Sequence, residues 1–141
     1  MIAILAVALL AQIPAPAPGW TWTLYADSDP VVLSNEIPDT PDLRATFECE
    51  RGSSVARLTL YGPEMAGTAR VSAGEAVAVG EAEAGARGGS TKLTVRTDHP
   101  AFAAFAAGGA LVVTVGEARR AVDVPGAHLA KLRRFAELCS G

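Results

Sequence analysis

Residues that carry chemistry are scarce in this chain. It has two histidines and two cysteines in 141 residues. There is no C-x-x-C, and two histidines with two widely separated cysteines do not complete a zinc ligand set. Neither a nucleophile elbow nor a cysteine-nucleophile pattern is present, so the usual hydrolase signatures are missing. The Gly-rich stretch 85–89 lacks the Lys-Ser/Thr of a phosphate loop and the strand–helix setting of a dinucleotide loop. A basic excess is missing as well. Lys and Arg number 12 against 15 Asp and Glu, a net charge of −3. Binding to nucleic acid phosphates usually needs a basic surface, so nucleic acid is not an expected partner. The early apolar run, Ile2 to Ala11, falls well short of the roughly 20 residues that cross a bilayer as a helix.

What remains is enough for one domain with a real core, since half of the residues are hydrophobic, although many are Ala rather than large side chains. The Ile2–Ala11 run suits the h-region of a secretory signal, with cleavage after Ala11, even though only the Met1 amino group supplies positive charge ahead of it. Pro14, Pro16 and Pro18 then form a stiff extended spacer. The expected organisation is a signal peptide at 1–11, a Pro-rich spacer at 12–19 and a single β-rich domain at 20–141, in a periplasmic or secreted protein without a stable membrane span after cleavage.

The stretch Leu43–Glu50 anchors the domain. Leu43, Ala45, Phe47 and Cys49 alternate with Arg44, Thr46, Glu48 and Glu50, the period of a half-buried strand. Trp20 to Tyr25 alternates in the same way, with strongly β-favouring residues, and Val31–Leu33 is a short second strand. Residues 51–54 turn the anchor strand into Val55–Tyr61, with Ala56, Leu58 and Leu60 on one face, which makes a hairpin. Thr68–Ser72, Glu75–Ala84 and Lys92–Thr97 read as further strands. Val77 and Val79 share a face in the second of them, and Leu93 and Val95 point inward in the third. Asp98 caps a short helix that ends at Gly108 or Gly109. Ala110–Val115 and Ala118–Val124 pair across Gly116-Glu117, a type II′ turn. A last helix, from about Ala127 to Cys139, carries Leu129, Leu132, Phe135, Ala136 and Cys139 on one stripe, with Lys131, Arg134 and Glu137 facing away. No internal repeat is visible. The expected fold is mainly β: an antiparallel β-sandwich or partly open barrel with a short helix and a C-terminal helix packed on the sheet.

Cys49 and Cys139 both fall on apolar faces, one on the anchor strand and one on the last helix. In an exported protein an even count predicts a disulfide between them. The chain-entropy model gives so wide a crosslink roughly 4–5 kcal/mol.

Few residues compete for a chemical role. His99 beside Asp98 is the one His–carboxylate neighbour pair and is the candidate for a small hydrolase, with Ser54 or Ser90 as nucleophile. A histidine in the first turn of a helix has the simpler reading of a cap. His128 reads as solvated. Asp27, Asp29, Asp39 and Asp42 lack calcium-loop spacing and have an ordinary reason to sit in turns. Trp20 and Trp22 offer an aromatic platform or, more simply, core. The acidic stretch 20–50 and the basic helix with Lys131, Arg133 and Arg134 either attract each other or form separate solvated surfaces. No catalytic, cofactor-binding or metal-binding residue is assigned.

Trp20-Thr-Trp, Phe47-Glu-Cys49-Glu with Leu58-Thr-Leu60, and Phe135-Ala-Glu-Leu-Cys139 together resemble small exported Gram-negative proteins of β-sandwich type. That set includes uncharacterised alphaproteobacterial proteins, the invasion-associated locus B-like proteins and the type VI secretion accessory proteins. The further cysteines usual in the invasion-associated group are absent here. The resemblance implies a non-catalytic envelope protein. The expected function is therefore a non-enzymatic exported binding or accessory domain acting through contacts with another envelope protein. The alternatives are the Asp98/His99 hydrolase and a small-ligand pouch between the sheet and the last helix.

Overall fold

A computed structural model describes residues 19–141. The expected signal at 1–11 and all of the spacer but Gly19 lie outside the described residues. Nine strands form the sheet: β1 (Thr21–Tyr25), β2 (Val31–Glu36), β3 (Leu43–Cys49), β4 (Val55–Tyr61), β5 (Gly67–Ala73), β6 (Ala76–Ala84), β7 (Ser90–Arg96), β8 (Ala110–Val115) and β9 (Ala118–Asp123). Helix α1 (Pro100–Gly108) links β7 to β8, and α2 (Leu129–Cys139) follows a single 3-10 turn at Gly126–His128. The sheet is antiparallel throughout and curls into a half-barrel, so the fold is mainly β with two helices, as the alternation implies.

The strand order is β1-β2-β3-β4-β7-β6-β5-β8-β9. Gly62, at φ +120°, and Pro63 end β4, and β5 pairs with β6 and β8 instead. The crossing segment is held down by Met65, which is buried and whose N–H donates to Thr91 Oγ1 at 2.8 Å. β5, β6 and β7 then follow as successive hairpins, and β7 returns beside β4, a Greek key. β6 pairs with β5 along its length but with β7 only at Glu83 and Ala84. At the last hairpin Gly116 has φ +57° and Glu117 does not share a positive φ, in keeping with the expected II′ turn.

The core lies inside the curl. Leu33, Phe47, Leu58 and Leu93 are successive cross-strand partners on β2, β3, β4 and β7, and all are buried. Both helices are laid against this row. All four phenylalanines of the chain belong to one cluster. Phe47 is 5.3 Å from Phe105 and 6.5 Å from Phe102 on α1, 6.2 Å from Phe135 on α2, and 6.3 Å from Trp22 on β1, centroid to centroid. Leu132, Phe135 and Cys139 form the buried stripe of α2, while Leu129 and Ala136 flank it half-buried.

The cap of α1 is His99 rather than Asp98: Ala101 N–H donates to His99 Nδ1 at 3.0 Å. Pro100 at the first helical position needs no hydrogen-bond acceptor, so the capping bond falls to the next N–H. Gly109 ends the helix at φ +80°, and a Cβ there would stand 2.3 Å from the Val124 carbonyl oxygen, so the position demands glycine.

Cys49 and Cys139 stand at disulfide distance, with sulfurs 1.94 Å apart and Cα atoms 5.8 Å apart. The backbone adds to this junction. Gly52 N–H donates to the Leu138 carbonyl at 3.1 Å, and Ser54 N–H to the Cys139 carbonyl at 2.7 Å. The β3–β4 turn thus satisfies carbonyls that the end of α2 would otherwise leave open. Replacing Cys139 by serine is expected to lower the melting temperature while the sheet persists. Hydrogen exchange should rise first in α2, because the helix is terminal and loses one of its two anchors. Uniform exchange across sheet and helix in Cys139→Ser would contradict this order of release.

Candidate functional site

The residues singled out as candidates for chemistry do not converge. Arg96 Nε and Nη2 donate to Asp98 at 2.8 and 2.7 Å, and this bidentate pair is exposed. The hydrogen bonds from Arg96 hold the Asp98 carboxyl below its ordinary range, and Asp98 in turn raises Arg96. His99 spends Nδ1 on the helix cap. Ser54 binds the C-terminal end of the chain through Gly141 N–H, and Ser90 lies on β7 with its side chain buried against Gly85. Asp29 pairs with Arg51 at 3.4 Å, and Asp39 occupies a turn at φ +63°. Among the described residues no three His, Cys, Asp or Glu side chains gather as metal ligands, and no helix is long and apolar enough to cross a membrane.

The space between the sheet and the helices is filled by the phenylalanine cluster. Open volume lies elsewhere: a shallow hollow of about 430 Å³ over β4, β6 and β7, lined by Arg57, Glu81, Glu83 and Lys92, and a cleft at the seam where the sheet of the described residues does not close. Among the described residues the outer ladders of β1 and β9 have no strand partner. Their edges meet instead through a side chain, Trp22 Nε1–H donating to the Asp123 carbonyl at 3.1 Å. Beside this bond is a cleft of about 360 Å³, lined among others by Trp20, Asn35, Arg44, Arg120 and His128. The two tryptophans therefore divide the roles weighed for them: Trp22 is core, while Trp20 is half-exposed in the cleft.

Two arginines face this cleft for reasons that lie in the strands. Asn35 pairs with Ala45 but Glu36 pairs with Leu43, so Arg44 is the extra residue of a bulge. Bulges redirect side chains, and the Arg44 guanidinium stacks over the Trp20 ring at 3.9 Å. Arg120 is partner to buried Val113, which is partner to buried Val71, so it occupies an inward position between Ala118 and Val122. Its Nη2 donates to the Tyr61 carbonyl at 3.0 Å. Its Nη1 is covered and has no hydrogen-bond partner among the described residues. Neither arginine had been marked as a site residue in the sequence. The signal was present in the β9 alternation, where Arg120 interrupts an otherwise apolar inward face.

His128 is not simply solvated. Its Nδ1 lies 3.2 Å from Lys131 Nζ, which donates to the Trp22 carbonyl at 2.7 Å. Lys131 thus folds back onto the edge of β1 instead of facing away from the helix stripe. Among the described residues no ion pair joins the acidic 20–50 stretch to the basic helix. The pairs formed are local: Arg51–Asp29, Arg57–Glu48, Arg96–Asp98 and Arg134–Glu137.

The largest exposed apolar side chains are on the outside of the half-barrel. Val77 and Val79 of β6 share a face, but it is the outer one, at 40% and 68% exposure. Tyr25 is exposed too, with its hydroxyl donating to Glu36. No family model matches the chain, and no curated protein or solved structure matches it either.

The role of His99 can be separated from chemistry by stability alone. His99→Ala should cost on the order of 0.5–2 kcal/mol in urea unfolding, as loss of a helix cap does, and His99→Asn should recover much of it. In Arg96→Ala the Asp98 carboxyl should titrate in its ordinary range by NMR. Because Arg96 lowers the folded-state value, the contribution of the pair is present above the ordinary carboxylate range and disappears as pH falls through that lowered value. At a fully exposed site the effect on stability is small.

Proposed function

We propose that this chain is a non-enzymatic binding or accessory domain, exported to the periplasm or beyond, which acts through contact with another envelope protein. The observation that carries the reading is the outward pair Val77 and Val79 on β6. β-branched residues on a strand favour burial against a neighbour, and among the described residues none covers the part of β6 that has left β7. Val112 and Ala121 continue the small-residue row across β8 and β9, since Val77, Ser72, Val112 and Ala121 are successive cross-strand partners. A partner presenting an apolar strip would cover this face.

Export is supported by the cysteine pair, because disulfides persist in oxidising compartments. The resemblance in Trp20-Thr-Trp and Phe135-Ala-Glu-Leu-Cys139 points the same way. The hydrolase reading would require His99 to abandon the cap of α1. The pouch reading would require space where the phenylalanine rings are packed.

A photo-crosslinking residue placed at Val79 in the native host should trap one defined protein, and the same residue at exposed Glu137 should not. Val79→Glu should lower the yield of the complex severalfold with the melting curve unchanged. Identical crosslinking at both positions would reject this face as the contact. Intact-mass measurement should find a chain that begins after Ala11 and carries a disulfide. A full-length chain with free thiols would reject export.

A further inference from the structure

We propose that the seam cleft between β1 and β9 is an oxyanion site, binding one carboxylate or phosphate group between Arg44 and Arg120. This inference is independent of the outer Val77/Val79 face. Arg120 is the starting point. An inward strand position backed by buried Val113 and Val71 ordinarily takes an apolar residue, and a charged one there must recover its lost hydration through hydrogen bonds. Arg120 recovers only part of it. Nη2 reaches the Tyr61 carbonyl, Nη1 has no partner, and no carboxylate lies within 4 Å of the guanidinium among the described residues.

The ground beneath Nη1 is cleared by glycine. A Cβ at Gly62 would stand 3.2 Å from it, tighter than nearly all such contacts. Turning the guanidinium toward the cleft exchanges an orphaned donor for a charge-assisted bond, which is among the stronger bonds a protein makes.

Arg44 supplies the second cation from the opposite wall. The bulge aims it, Trp20 holds its plane by stacking, and it too has no ion-pair partner among the described residues. A stacked guanidinium keeps its edge donors free for a planar acceptor. The lining includes one carboxylate residue, Asp123, whose carbonyl is engaged by Trp22 and whose side chain pairs with neither arginine. Apart from His128, the lining carries two cations, Arg44 and Arg120, against one anion, Asp123. Lys131 stands just behind His128, so the field at the seam favours a negative group. A cleft of about 360 Å³ is at the small end of the range for ligand sites.

The test uses the folded, disulfide-bonded chain labelled with ¹⁵N. Inorganic phosphate and acetate are titrated separately, with sodium chloride holding ionic strength constant, while the Trp20 indole and the Arg44 and Arg120 Nε–H signals are followed. The proposal expects saturable shifts of these signals with at least one of the two anions, and the anion that saturates identifies the source as phosphate or carboxylate. Arg44→Gln lies on an exposed side chain and leaves the fold intact. It should raise the midpoint roughly tenfold or more, the loss of a charge-assisted bond. Arg120→Lys keeps the charge without the planar fork and should weaken binding as well. Linear shifts indistinguishable from those of chloride would overturn the proposal, and so would saturation in Arg44→Gln with the midpoint of the parent chain.

Discussion

Phe47 is the contact on which the architecture depends. It is the one ring that touches β1, α1 and α2 together, through Trp22, Phe102, Phe105 and Phe135. Among the described residues no second sheet covers the nine strands, so their concave face is buried against something else. In a chain whose hydrophobic content is weighted toward alanine, large side chains are few, and all four phenylalanines are spent in this one place. The helices therefore have little freedom in where they dock. α1 is set between β7 and β8 by the need to bring Phe102 and Phe105 to Phe47, and α2 is set by Phe135. Aromatic pairs at these separations contribute beyond their buried area, at about 0.5–1.5 kcal/mol each.

The junction at the end of α2 solves a second problem with the same economy. A terminal helix with one apolar stripe has a weak hold on a sheet. Cys139 reaches Cys49 at the end of the inward row of β3, and the adjoining turn donates Gly52 and Ser54 N–H groups to the last carbonyls of the helix. The sulfur pair and the two backbone bonds act on the same few residues, so the helix end and the β3–β4 turn are held as one unit. Lys131 performs a related task from the first turn of α2, where its ammonium satisfies the Trp22 carbonyl on edge strand β1. Covering or charging such an edge also discourages pairing with another chain.

The parts of this fold that depend on period were legible in the sequence. Alternation located the nine strands within a few residues, and the apolar stripe located α2. Alternation placed Cys49 on an apolar strand face and the helical stripe placed Cys139 on an apolar helix face, and the structure brings both into one core. Strand order was not legible, because hairpins are local and the Greek key is not: nothing in Gly62–Ala66 announces that β5 will pair with β8 rather than β4. Val77 and Val79 show the limit of alternation, which groups residues on a face without saying which face is wet. The cap of α1 differs from the expectation for a chemical reason: Asp is the better capping residue by type, but the Asp98 carboxylate is engaged by Arg96 and the helix begins a residue later, at Pro100. Arg44 was hidden by a bulge, which breaks the period on which the reading relied.

The seam follows from the same shortage that makes Phe47 central. To close the barrel, β1 and β9 would have to share a ladder. β1 is short, and β9, at the other end of the strand order, carries Arg120 at an inward position where packing would call for an apolar side chain. A guanidinium cannot be sealed inside a closed barrel without a partner for each of its donors. The edges remain apart, bridged by the Trp22 indole alone among hydrogen bonds between the two strands' described residues. What the sheet gives up in closure appears as a polar opening beside an otherwise apolar core, lined by arginines that no carboxylate among the described residues neutralises. Among the described residues an unclosed sheet and an unpaired arginine are thus two views of one arrangement, and a ligand that supplied the missing acceptor would complete the wall that they leave open.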